Sequence, residues 1–97
     1  MGIFQLVPLF EPGELLVSPE VLDSALDYRR YLRRHLTGDW GEISEYDKTE
    51  NRRALQSNAA VISQYSASLS GGGSRTLVIM TEAKRIHSVV FFVPHEM

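Results

Sequence analysis

Hydrophobic positions recur at helical spacing through the first half of this chain and at every second residue in its last third. Val21, Leu22, Ala25 and Leu26 follow Ser18-Pro19, a pair that opens helices: the Ser oxygen accepts a free backbone N–H, and Pro has none to leave unpaired. Tyr28, Tyr31, Leu32, His35 and Leu36 then share one side of a second helix over residues 28–36, with Arg29, Arg30, Arg33 and Arg34 largely on the other. Gly38 ends that helix, since glycine adopts positive φ without penalty. Ser44 caps a third helix reaching about residue 56, with Asp47 in capping-box position and Glu45 in the first turn. Its residues are mostly polar, which predicts a surface position.

Ahead of the helices, residues 3–7 are apolar apart from Gln5 and stop at Pro8, and residues 14–17 form a second apolar run after Pro12-Gly13. One or both are expected to be short strands. After residue 60 the period becomes two: Val61, Ser63 and Tyr65 alternate with Ile62 and Gln64, Leu77, Ile79 and Thr81 with Val78 and Met80, and Val89, Phe91 and Val93 with Val90 and Phe92. This predicts a three-stranded antiparallel meander, with the glycine-rich residues 69–74 as a flexible first connection and residues 83–85 as a tight second one. The last two strands are apolar on both faces. One face should therefore pack on the helices while the other meets the N-terminal strand, a loop or a partner. The expected fold is α+β: one or two short N-terminal strands, two to three helices, then the meander.

A chain of 97 residues has room for one hydrophobic core, so residues 1–97 are expected to form a single domain. A net charge of -2 gives no general attraction for nucleic-acid phosphates, and any such contact would need a local basic patch. Cysteine is absent, which removes disulfides, thiolate nucleophiles and sulfur-ligated metal sites and fits a cytoplasmic protein. No apolar run approaches the roughly 18 residues of a membrane span, so no membrane partner is expected.

The densest chemistry lies in residues 35–42, where His35, Asp39 and the only Trp, Trp40, sit with Gly38 and Gly41 at a helix-to-loop junction. Two readings fit. In the first, the segment is a structural corner, with Trp40 buried, the glycines supplying unusual backbone angles and Asp39 accepting loop N–H groups. In the second, Trp40 is a partly exposed anchor for a protein partner, rimmed by Arg29, Arg30, Arg33 and Arg34. His35 and Asp39 are also the weak catalytic candidates, four residues apart and able to form an acid–base pair that, with His87 and Lys84, would make a metal-independent RNase-like site. A His at a helix end more often caps the last carbonyls. His35, His87 and His95 lack metal-ligand spacing, and no cofactor motif is present: residues 71–73 lack the Lys-Ser/Thr of a phosphate loop. The four arginines give nucleic-acid binding its footing, although Glu20, Asp23, Asp27, Asp39, Glu42 and Glu45 flank them.

Leu9-Phe10-Glu11-Pro12-Gly13, Ser18-Pro19-Glu20-Val21-Leu22, Arg34-His35-Leu36-Thr37-Gly38-Asp39-Trp40-Gly41, Asp47-Lys48 with Asn51, Ala54-Leu55, Ser63-Gln64-Tyr65 and Thr81-Glu82-Ala83 together resemble a small bacterial family. Its members occur on plasmids and other mobile elements and are often labelled type I restriction enzyme subunits. The similarity covers nearly the whole chain, and His-x-x-Gly-Asp-Trp-Gly is its most specific part. Members typically follow Thr-Glu-Ala with Asp-Arg and several threonines and finish in a Pro-acidic-Tyr tail. Here Lys84 replaces that Asp, Ile86-His87-Ser88-Val89 replaces the Thr-rich stretch, and Met97 replaces the Tyr. The resemblance implies a mobile-element setting rather than a reaction. It suggests a protein-binding module with a host or element-encoded protein as partner, including an anti-defence role against a CRISPR or restriction complex.

Overall fold

A computed structural model of the chain describes residues 7–94. The elements run β1 (Glu14–Val17), α1 (Pro19–Asp23), α2 (Tyr28–Leu36), α3 (Glu45–Ser57), β2 (Val61–Ser68), β3 (Ser74–Thr81), a 3-10 turn (Ala83–Arg85) and β4 (His87–Phe92). The candidate strand over residues 3–7 lies almost entirely outside the described residues.

The fold is α+β, and its sheet corrects the expected three-stranded meander. Four strands form one mixed sheet in the order β1-β4-β3-β2. β2, β3 and β4 pair antiparallel, and β1 adds parallel to β4 with Leu16 opposite Val89. Parallel neighbours need a long crossover, which the helices, β2 and β3 together supply between β1 and β4. The close approach depends on Gly13, at φ +67, where an added Cβ would lie 2.3 Å from the Arg85 carbonyl oxygen and 2.4 Å from that of Ile86. Any side chain there would hold β1 away from β4.

The helix ends follow local chemistry. Ser18 accepts from the Val21 N–H at 3.2 Å, and Pro19 occupies the first turn. α1 nevertheless stops at Asp23, earlier than the apolar spacing through Leu26 suggests. Ser24 Oγ donates to the Val21 carbonyl at 2.7 Å and accepts from the Leu26 N–H at 3.2 Å, while Ala25 turns to φ +61. This local alternative to the helical ladder ends the helix. Val21 is buried, Leu22 is exposed, and Leu26 reaches the core from the following loop. α3 begins as expected, with Ser44 Oγ accepting from the Asp47 N–H at 3.0 Å, and ends at Asn58 in the left-handed region.

All three helices pack on the same face of the sheet. The larger core joins Val21 and Tyr31 to Tyr65, Ala67, Leu77, Ile79, Val90 and Phe92; a second cluster joins Phe10, Trp40, Ala54 and Val61. These strand residues are alternate positions, as pleating requires. The opposite alternates point away from the helices. Ile62 lies beside Met80, Met80 beside Val89 and Val89 beside Leu16, so one apolar row crosses all four strands; Val78 and Phe91 begin a second.

Candidate functional site

Residues 38–42 run along the outer edge of β2. Gly41 forms a bridge with Gln64, the Gln64 N–H donates to the Trp40 carbonyl at 3.2 Å, and the Glu42 N–H donates to the Gln64 carbonyl at 2.7 Å. A Cβ on Gly41 would lie 2.1 Å from the Gln64 oxygen and 2.6 Å from the Tyr65 ring, and φ is +74. Position 41 thus needs glycine for both space and backbone angle. The same edge is closed on either side. The Asn51 amide donates to the Ile62 carbonyl at 2.8 Å and accepts its N–H at 3.1 Å, and the Glu42 carboxylate accepts the Ser66 N–H at 3.0 Å. From residue 62 to residue 66 every outward N–H of β2 is occupied, which blunts an edge otherwise open to another strand.

Within this corner Trp40 is only 7% exposed and packs in the second core cluster. That placement withdraws it from the partner-anchor reading. Asp39 is bound to Arg34, with Oδ2 2.7 Å from Nε and Oδ1 3.3 Å from Nη2. The Arg34 guanidinium holds the Asp39 carboxyl below its ordinary value, and hydrogen bonding to Asp39 raises Arg34 in turn. The Asp39 carbonyl accepts the Tyr65 hydroxyl at 2.7 Å, and burial pushes Tyr65 up to about 12.

His35 takes no part in that arrangement, so the candidate His35–Asp39 pair does not form. The imidazole is completely buried between α2 and the sheet. Its Nδ1 lies 2.5 Å from Ser63 Oγ, its Nε2 lies 2.9 Å from Thr81 Oγ1, and Thr81 Oγ1 lies 2.6 Å from Ser88 Oγ. Ser88 donates to the Pro12 carbonyl at 2.7 Å, and this fixes the direction of the chain. Ser88 can then only accept from Thr81, and Thr81 from Nε2–H; with the ring neutral, Nδ1 accepts the Ser63 hydroxyl. Burial favours the neutral imidazole. Desolvation, followed by the nearby positive charge of Arg85, lowers His35 from its ordinary 6.5 to about 3. Phe10 packs its ring against the imidazole at 5.3 Å, 83° from coplanar. Arg85 lies over Phe10 and donates to the Ala54 and Ala59 carbonyls near the end of α3.

Sequence spacing alone does not point to Ser63, Thr81 and Ser88, although each occupies a core-facing alternate of its strand. A hydroxyl at an inward strand position, paired with a His on the apolar side of a helix, is the available signal. The hairpin residues do not join His35. His87 lies on the opposite sheet face, 3.0 Å from Glu82, and Lys84 sits in the turn at φ +65 with its N–H on the Asn58 carbonyl. An RNase-like cluster of His35, Asp39, His87 and Lys84 is therefore not assembled. His95 lies outside the described residues, and among those described no three His, Cys, Asp or Glu side chains come together as metal ligands.

The arginines divide. Arg34 lies over the Tyr65 ring at 4.6 Å while bound to Asp39. Arg29 and Arg30 lie over Tyr28 and Tyr31 at 5.5 and 5.7 Å, and with Arg33 they are exposed and make no ion pair among the described residues. The acidic residues flanking them in sequence form no ion pair with them. Among the described residues, no helix packs on the outer sheet face or on the arginine side of α2. No helix among the described residues is long and apolar enough to cross a membrane. Comparison of the chain with protein families, with curated proteins and with solved structures gives no match.

Proposed function

We propose that this protein is a binding module that docks a partner protein on the outer face of its sheet. The apolar row Ile62, Met80, Val89 and Leu16, exposed at Leu16 and half-buried elsewhere, with the half-buried Phe91 beside it, is the observation that carries this reading. Leu16 is 44% exposed and Val93 39%, and no helix covers this side of the sheet among the described residues. Contiguous apolar surface on a small domain marks contact sites more often than inert surface. The resemblance adds a setting: an inhibitor carried by a mobile element that occupies a functional surface of a host CRISPR or restriction complex. An enzyme built on His35 is disfavoured, because its ring meets no solvent and both nitrogens are engaged.

The test is capture from host lysate, with nuclease treatment, using wild type, Val89→Glu and a triple Arg29, Arg30 and Arg33 to Gln variant, all checked for folding. A stoichiometric, nuclease-resistant protein lost only with Val89→Glu supports the proposal, and interference assays against that complex then examine the anti-defence role. The unpaired guanidiniums favour a second reading, a nucleic-acid-binding accessory protein. Recovery of nucleic acid alone, lost with the arginine variant and falling steeply with salt, would replace the first reading with this one.

A further inference from the structure

The two edges of the sheet are treated differently. β2 is closed by Asn51, Trp40, Gly41 and Glu42, whereas β1 is not closed by any described residue. The Glu14 N–H donates to the Ile86 carbonyl at 3.0 Å and the Ser18 N–H to the Val90 carbonyl at 2.9 Å. In a parallel ladder the bonded residues alternate, so Glu14, Leu16 and Ser18 face β4. Leu15 and Val17 turn their N–H and C=O groups outward. An unsealed edge is a template for strand addition, and domains that leave one open commonly use it.

We infer that β1 pairs antiparallel with β1 of a second copy about a two-fold axis at Leu16, extending the sheet to eight strands. Strand parity selects this register. Leu15 then stands opposite Val17 of the second copy, and Val17 opposite Leu15, as the two hydrogen-bonded pairs, giving four backbone bonds from groups that have no partner among the described residues. Leu16 meets Leu16 at the intervening non-hydrogen-bonded position, where Cα atoms approach to about 4.5 Å. Glu14 lies opposite Ser18 rather than its own copy, so the axis brings no like charges together. Gly13 and Pro19 limit the pairing to residues 14–18. A two-fold contact is self-complementary and closes at a dimer. It also joins the two apolar rows end to end. One face of four strands spaced about 4.8 Å apart and some five residues long covers only roughly 300 Å². This falls well short of the roughly 800 Å² per partner of a standard interface. Pairing doubles the platform proposed above for a partner, but does not depend on that reading.

The chain has no cysteine, so Leu16→Cys introduces a single thiol. Only position 16 pairs with itself at disulfide spacing, so under mild oxidation Leu16→Cys should form covalent dimer roughly tenfold or more faster than Leu22→Cys, an exposed control on α1. Sedimentation velocity on the unmodified chain at rising concentration should show a monomer–dimer equilibrium. Leu16→Lys should abolish it, and Val89→Glu, one strand in from the axis, should retain it. A chain that stays monomeric throughout, equal crosslinking at positions 16 and 22, or a dimer that survives Leu16→Lys would each overturn the inference. Loss of the dimer with Val89→Glu would also overturn it, by moving the contact from the edge to the sheet face. Loss of a captured partner with Val89→Glu alone, the dimer being intact, separates the two proposals.

Discussion

Acidification should destabilise this protein through a single imidazole. His35 is neutral in the folded chain, held at about 3 against an ordinary 6.5 by burial and then by Arg85. The unfolded chain takes up a proton as pH falls through 6.5, and the folded chain does not do so until about pH 3. Between those values the unfolded state binds more protons, so stability is fully present above about 6.5, declines as pH falls, and levels off below about 3. The slope approaches about 1.4 kcal/mol per pH unit, which gives roughly 3 kcal/mol lost by pH 4. A domain of this length has a net stability of about 5–15 kcal/mol, so the loss is a large share of it. Urea denaturation at a series of pH values between 7 and 4.5 would measure the effect, with fluorescence of the buried Trp40 as the probe. Asp39 is held below its ordinary 3.8, so its own loss of stabilisation on acidification falls under this window. His35→Gln retains hydrogen-bonding groups without titrating; it should be less stable at pH 7, and its profile should lack the one-proton slope. Parallel profiles for wild type and His35→Gln would refute the argument, because the imidazole would then bind protons equally in both states.

Gly41→Ala should cost roughly 2 kcal/mol or more, since the new Cβ meets the Gln64 carbonyl and Tyr65 ring and the backbone angle is strained, read as a lower denaturation midpoint with an unchanged slope. Asn51→Leu leaves the edge N–H and C=O of Ile62 without partners and should cost roughly 1–3 kcal/mol, with faster amide exchange at Ile62. Arg34→Ala should matter much less, about 1 kcal/mol or below and weaker still in high salt, because its pair with Asp39 is solvent-exposed.

Much of the secondary structure was legible in the chain. Helix α2 matches its expected span, since Tyr28, Tyr31, Leu32, His35 and Leu36 already define one face and Gly38 marks the stop. The caps at Ser18 and Ser44 are local interactions among neighbouring residues, so sequence spacing suffices to place them. Period-two alternation located β2, β3 and β4, although β2 and β3 extend beyond the apolar residues into Ser66, Ser68 and Ser74.

What tertiary structure decided was which distant segments meet. Alternation assigns a residue to one of two faces but does not name the neighbouring strand, so the place of β1 beside β4 required the folded chain. The same holds for the candidate chemistry. From sequence His35 is nearest Asp39; in the fold it turns inward to Ser63, Thr81 and Ser88, because its helix face is the buried one, while Asp39 turns outward to Arg34. Asn51 sits in a helix that reads as mostly polar, yet it is buried, and its amide completes the edge of β2. Local chemistry fixes caps, turns and faces over a few residues. Partners across the sheet are set by chain path and packing, which no short window of sequence contains.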